Sequence, residues 1–290
     1  MTITSQMVKE LREKTNAGMM DCKKALTETD GNMEKAVDLL RQKGLAVAAK
    51  RSGKEAKEGT IAAYVQADGR AGALVEVACE TDFVAKTDDF RAFASGIAEH
   101  IAAAAPAPEK LLGQHFVKNE RLTVQDALNE LVVKMGESIS VRKFSRYQLE
   151  GAGIVVDYIH AGGKLGVLVE AACDSAAASG TEAFRTTVRD IAMHIAATNP
   201  LALKREELSS ELVQREREIY IKQALDSGKP QQIAEKMVMG KMEKYLSEIC
   251  LLEQRFVKDD KLSVQDLLAQ LGKQLGAKVT ITRFTRYQIA

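Results

Sequence analysis

Most of this 290-residue chain is one unit written twice, and that repetition limits the possible folds more tightly than any other feature of the sequence. Residues 59–106 align with 153–200 at a constant shift of 94, with 20 of 48 pairs identical. Gly59/Gly153, Tyr64/Tyr158, Gly69/Gly163, Glu76/Glu170, Cys79/Cys173, Phe90/Phe184, His100/His194 and Pro106/Pro200 are among them. Residues 116–148 then align with 256–288 at a shift of 140, with 14 of 33 identical, so the second copy carries an insertion of 46 residues between Pro200 and Phe256.

Each copy predicts the same local structure. In copy one a hairpin spans 60–67 and 73–79, turning at Asp68-Gly69. A long helix follows, with Phe90, Phe93, Ala94, Ile97, Ala98 and Ile101 on one face. Thr123 and Asp126 have the spacing of a capping box that opens a shorter helix. A last strand covers 138–147. The fold class is therefore α+β: a three-stranded antiparallel sheet with two helices on one face, in duplicate.

The insertion, at 203–247, predicts two helices joined at Ser227-Gly228-Lys229-Pro230. Leu208, Leu212 and Ile219 line the first, and Ala234, Val238, Met242, Tyr245 and Ile249 the second, which makes an antiparallel, coiled-coil-like hairpin. Ahead of the repeat, 1–45 predicts a three-helix bundle, with stripes at Val8 and Leu11, at Met19, Cys22, Ala25 and Leu26, and at Met33, Ala36, Val37, Leu39 and Leu40. Gly44 is its expected stop. The domain order expected is bundle 1–45, charged linker 46–58, copy one 59–150 and copy two 151–290.

Several function classes fall away. The 41 basic and 40 acidic side chains give a net charge of +1, without the basic excess that non-specific nucleic-acid binding needs. Lys118, Arg121, Arg142, Lys143, Arg146, Arg283 and Arg286 have acidic neighbours and read as a solvated face. Cys22, Cys79, Cys173 and Cys250 form no CxxC pair, so reduced, buried thiols in a cytoplasmic protein are expected rather than a zinc or redox centre. There is no secretory leader pattern and no apolar run of membrane-spanning length. Phosphate-binding loops, nucleophile elbows and HExxH patterns are absent, so neither an enzyme nor a cofactor is expected. His100 and His194 occupy equivalent places, which favours a structural role. His160 faces Gln66 of copy one, so the fold does not demand it; it is either a surface contact or a plain exposed histidine.

Comparing the copies isolates one conspicuous segment. Copy one reads Glu80-Thr81-Asp82-Phe83-Val84-Ala85-Lys86 where copy two reads Asp174-Ser175-Ala176-Ala177-Ala178-Ser179-Gly180. The scaffold tolerates alanine where Phe83 stands, so Phe83 is either a contact residue in a strand-to-helix loop or a residue packed on the N-terminal bundle that copy two lacks.

Four motifs together resemble the elongation factor Ts family, the exchange factors for elongation factor Tu in bacterial translation elongation. They are Val8-Lys9-Glu10-Leu11-Arg12 with Thr15-x-Ala17-Gly18-Met19-Met20-Asp21-Cys22-Lys23-Lys24-Ala25-Leu26; Thr81-Asp82-Phe83-Val84-Ala85-Lys86; Met193-His194-Ile195-Ala196-Ala197 with Asn199-Pro200; and Ser227-Gly228-Lys229-Pro230 with Ile233-Ala234-Glu235-Lys236-Met237-Val238. The resemblance implies a ubiquitin-associated-like N-domain whose Leu11, Met19, Met20 and Lys23 grip a helix of Tu. It implies a Thr81, Asp82, Phe83, Val84 loop that wedges into the nucleotide site and disturbs its magnesium and phosphate loop, and a weaker contact at His160. The implied partner is Tu, GDP-bound and nucleotide-free, with no direct nucleic acid or membrane contact. The hairpin is a candidate surface for a homodimer or for a two-plus-two assembly with Tu. Some family members add a helical module after the last strand; this sequence ends at Ala290, directly after that strand, so contacts of that module are not carried over.

Overall fold

A computed structural model describes residues 3–15, 17–51, 55–226, 228 and 230–289. The chain runs α1 (Ser5–Thr15), α2 (Met19–Glu28), α3 (Met33–Arg51), β1 (Glu58–Val65), β2 (Ala71–Cys79), α4 (Asp82–Ala85), α5 (Asp88–Ala104), β3 (His115–Phe116), β4 (Asn119–Thr123), α6 (Val124–Met135) and β5 (Ile139–Gln148). Copy two continues with β6 (Gly153–Ile159), β7 (Leu165–Cys173), α7 (Ala176–Ser179), α8 (Glu182–Thr198), α9 (Ser210–Asp226), α10 (Gln231–Ile249), β8 (Arg255–Phe256), β9 (Asp259–Ser263), α11 (Val264–Leu275) and β10 (Val279–Gln288). The fold is α+β, with sheet orders β1-β2-β5 and β10-β7-β6, both antiparallel.

Alternation along the strands sorts the core into layers. Ala73, Val75, Val77 and Cys79 of β2 face α5 and α6, packing on Phe90, Phe93, Ile97, Ile101, Leu128 and Leu131. The helix-facing side of β7 repeats this with Phe184, Val188, Ile191, Ile195, Leu268 and Leu271. Ile61, Leu74, Tyr147 and Leu149 point the other way and meet Val155, Leu168 and Ile289. The two sheets therefore stack back to back, and the core has four layers: helix, sheet, sheet, helix. This explains why β2 is buried at all nine positions; a strand covered on both faces reads as a continuous apolar run, as Ala71–Cys79 does.

A pseudo-two-fold axis relates the copies. Gly163 in the copy-two turn accepts from the Ile61 amide at 2.6 Å, and Gly69 in the copy-one turn accepts from the Val155 amide at 2.8 Å. Both glycines have φ near +70°, a conformation that suits glycine. Tyr147 shares a hydroxyl hydrogen bond with Thr285 at 2.7 Å, and Tyr287 shares one with Ser145 at 2.8 Å. Arg283 lies over the Tyr147 ring and Lys143 over the Tyr287 ring. Gly72 and Gly166 set the closest approach: a Cβ at Gly166 would lie 2.5 Å from Ile61 Cγ2 and 3.0 Å from Leu74 Cδ1.

The buried histidines are structural in both copies. The Val257 amide donates to His194 Nδ1, so the proton sits on Nε2 and donates to Gln254 Oε1 at 2.9 Å. The Val117 amide, His100 and Gln114 repeat the arrangement. Burial lowers the His194 pKa, the Gln254 hydrogen bond opposing it in part.

Several sequence expectations change. The helix expected to stop at Gly44 continues to Arg51, because Gly44 is a packing position: a Cβ there would sit 3.1 Å from Val133 of α6. Arg41 reinforces that contact, donating to Asp126 at 2.6 Å. Of the expected linker, residues 52–54 lie outside the described residues. Residues 115–123 and their equivalent 255–263, for which the sequence predicts no element, form short antiparallel ribbons. In the helical hairpin, Ile219 points out and Tyr220 packs instead with Ala224, Ala234, Val238 and Met242; Ser227 and Lys229 of its junction lie outside the described residues. Arg142, Lys143 and Arg283 of the last strands are exposed, as expected of a solvated face, and their charged ends reach acidic neighbours. Arg142 and Lys143 pair with buried Glu76, Arg283 with buried Glu170, and Arg146 and Arg286 donate to helix carbonyls.

Gly166→Ala is expected to destabilise the fold by about 1–3 kcal/mol through overpacking against Ile61 and Ile159, and adding Ile159→Val, which removes the Cδ1 that would lie 2.7 Å from the new Cβ, to recover part of that; urea unfolding of the three proteins checks both. Because the folded His194 pKa is depressed, the unfolded chain binds the extra proton, so its contribution is full above about pH 6.5 and declines as pH falls below it. The stability lost between pH 7.5 and 5.5, measured by urea unfolding, should shrink in His194→Asn.

Candidate partner interface

The expected strand-to-helix loop at 81–86 is a single helical turn, α4. Thr81 caps it, its hydroxyl accepting from the Val84 amide at 3.4 Å, and Thr87 caps the long helix that follows. The turn thus hangs between two capped starts, and its side chains divide by depth. Val84 and Ala85 are buried in the copy-one core, whereas Phe83 is 80% exposed and packs on nothing that would hide it from solvent. The alternative that Phe83 packs on the N-terminal bundle is not what the structure shows. Asp82 is half-exposed and accepts from Lys86 Nζ at 2.6 Å. That hydrogen bond holds the Asp82 carboxyl below the usual carboxylate range, and the Lys164 charge adds to the effect.

Contacts from outside α4 fix its base. The Thr81 amide donates to Glu137 Oε2 at 3.0 Å, and its hydroxyl to Glu137 Oε1 at 2.6 Å. The Ser138 amide donates to Glu80 at 2.6 Å. The Cys79 thiol donates to the Thr81 carbonyl at 3.1 Å; burial pushes its pKa up to about 11, so it is an inert thiol.

The duplication brings a second element to this place. The copy-two turn carrying His160 docks on the start of β1 through Gly163, which also accepts from the Thr60 hydroxyl, and through the Lys164–Glu58 ion pair. Because β1 packs on α4, the His160 turn and the Phe83 turn share one end of the molecule. His160 itself is exposed, its Nδ1 hydrogen-bonded to the Tyr158 hydroxyl at 3.1 Å. The equivalent place on the other side of the axis holds Ala177, Gln66 and Ala277 in place of Phe83, His160 and Glu137. The axis that builds the core is thus broken at this end.

In the N-domain, Met19 and Met20 are 48% and 65% exposed at the start of α2, with Lys23 exposed one turn on. Leu11 is the exception among the expected contacts there: it is wholly buried under α2 and α3 and holds the bundle together. Val84 departs in the same way, supporting the turn from below.

The family model described as Elongation factor TS matches residues 80–290. The elongation factor Ts of Trichlorobacter lovleyi is 49% identical over 288 residues, spanning 99% of this chain and 92% of its own length. That of Clostridium perfringens is 48% identical over 287 residues with the same coverage, and that of Clostridium botulinum 46% identical over 287. The chain belongs to the elongation factor Ts family.

In this member of the elongation factor Ts family, no group of three or more histidine, cysteine, aspartate or glutamate side chains is arranged to hold a metal ion among the described residues. No described helix is long and apolar enough to cross a membrane. Sequence reasoning missed Glu137, Glu58 and Lys164. The first two were detectable by the same test that singled out Phe83, since copy two has Ala277 and Ala152 at those positions.

Removing the Phe83 ring leaves no cavity, so Phe83→Ala should change stability by less than about 0.5 kcal/mol. Leu11→Ala should cost about 2–5 kcal/mol of N-domain packing. Urea unfolding followed by circular dichroism separates the two; a Phe83→Ala loss as large as that of Leu11→Ala would mean that the ring is part of the core.

Proposed function

We propose that this chain is a guanine-nucleotide exchange factor that binds elongation factor Tu·GDP and speeds GDP release. The observation that carries the reading is Phe83, a large apolar side chain held in solvent on a capped turn, in a chain of the elongation factor Ts family whose second copy does without it.

The physics is one of binding, with no bond made or broken in the partner. A GTPase holds GDP through magnesium and a phosphate loop, charge-assisted contacts that depend on close geometry. Burying the Phe83 ring in the partner gains about 1.5–3 kcal/mol, which offsets part of the cost of displacing the magnesium ligands. Thr81 and Val84 set the aim of the ring from below, and Asp82 stands beside it. Met19, Met20 and Lys23 supply the separate grip of the N-domain, adaptable thioethers next to a cation, and His160 adds a contact at the Phe83 end. Linkage then gives exchange: if this chain weakens GDP on Tu by some factor, GDP weakens the chain on Tu by the same factor. The ternary complex collapses in either direction, and excess GTP drives the cycle through nucleotide-free Tu. We assign the exposed apolar side chains of the helical hairpin, Ile221, Leu225 and Met239, to a further contact, with Tu or with a second copy of this chain.

Release of a fluorescent GDP analogue from elongation factor Tu tests the reading. Wild type should accelerate release by orders of magnitude, and Phe83→Ala should lose most of that acceleration. Acceleration untouched by Phe83→Ala would move the mechanism to the N-domain, and no acceleration by wild type would overturn the proposal.

A further inference from the structure

We propose that Glu137 is the positioning residue of the Phe83 turn: its carboxylate, reaching across from the end of α6, fixes Thr81 and so fixes the direction in which Phe83 projects. The inference rests on the exchange reading above for its consequence, and on geometry alone for its structural half.

Both oxygens of Glu137 are engaged by one residue, Oε2 by the Thr81 amide at 3.0 Å and Oε1 by the Thr81 hydroxyl at 2.6 Å. Two bonds from one planar carboxylate to one residue leave that residue little rotational freedom, and charge-assisted bonds of this kind are the stronger ones. The hydroxyl that donates to Glu137 is the one that accepts from the Val84 amide at 3.4 Å. Donating to a carboxylate fixes its proton, which turns a lone pair toward the turn. Phe83 lies between Thr81 and Val84, so its backbone is pinned on either side.

Copy two is an internal control. Its turn, Ala176–Ser179, has the same length, and Ser175 caps it by accepting from the Ala178 amide at 3.3 Å. The brace from the preceding residue is also kept, as Asp174 accepts from the Lys278 amide at 2.8 Å, matching Glu80 and Ser138. The position of Glu137 is occupied by Ala277, and the position of Phe83 by Ala177. A turn of this kind therefore folds with a hydroxyl cap and the acidic brace alone. The carboxylate is added where the turn presents an aromatic ring to solvent. A ring projecting into water has no packing of its own to hold its direction; rigidity must come from the backbone beneath it, and a preorganised contact loses less entropy on binding.

The test uses the full chain and Tu loaded with a fluorescent GDP analogue, comparing wild type, Glu137→Ala, Glu137→Gln, Phe83→Ala and the double variant Phe83→Ala/Glu137→Ala. Glu137→Ala should lower the maximal release rate roughly tenfold, with the half-saturating concentration within about twofold. Glu137→Gln, which keeps one acceptor oxygen, should recover part of the rate. In the Phe83→Ala background, Glu137→Ala should change release by less than about twofold, because there is no ring left to aim. Amide hydrogen exchange of Thr81 and Val84 should speed up in Glu137→Ala while the melting temperature holds. A rate unchanged in Glu137→Ala, or an equal loss with and without Phe83, overturns the inference. Unchanged amide protection overturns it whatever the exchange assay shows. Failure of wild type to accelerate release would instead count against the exchange reading alone.

Discussion

Two sheets can stack back to back only as closely as the side chains between them allow, and here Gly72 and Gly166 let the centre of that stack close. Around these positions Ile61, Leu74, Val155 and Leu168 interdigitate, buried to 2% exposure or less. The remainder of the interface follows from the same axis. Each hairpin turn accepts a backbone amide from the other copy, and each last strand sends a tyrosine hydroxyl across to its counterpart. The polar groups at the edge of the stack are paired: Glu76 and Glu170 are buried, the first with Arg142 and Lys143 and the second with Arg283. A buried carboxylate without such partners would cost several kcal/mol.

The candidate interface exists because that axis is obeyed in the core and broken at one end. Docking the copy-two turn against β1 places His160 and Lys164 beside the copy-one turn that carries Phe83. Neither copy by itself contains the assembly. At the symmetric end, Ala177, Gln66 and Ala277 stand in place of Phe83, His160 and Glu137, and Arg70, the counterpart of Lys164, binds the Leu149 and Gly151 carbonyls, so that end keeps the scaffold alone. A duplicated fold is well suited to this, since one copy retains what folding requires and the other is free to vary at its surface.

The side chains that look most chemical are the quietest ones. His194 is neutral, with both ring nitrogens engaged. Cys79 is held as a thiol by burial, and the other three cysteines are buried and free. What stands ready at the surface is apolar: Phe83, Met19 and Met20. Such a surface is suited to binding by displacement of water, with charge used locally to set geometry, as Lys86 does for Asp82 and Glu137 for Thr81.

The sequence by itself determined the α+β class, the repeat, the helical hairpin and that the scaffold can spare Phe83; its exposure came from the structure. These are periodic or comparative features: alternation marks strands, 3.6-residue spacing marks helices, and two aligned copies show which side chains the fold can spare. Tertiary structure alone decided the back-to-back stacking, the passage of α3 through Gly44, the burial of Leu11 and Val84, and the meeting of the His160 turn with the Phe83 turn. Each depends on contacts between residues distant along the chain. A glycine that ends a helix and one that admits a neighbouring helix look the same in sequence. Glu137 and Thr81 are 56 residues apart, and only the packed sheet and helices bring that carboxylate to that hydroxyl.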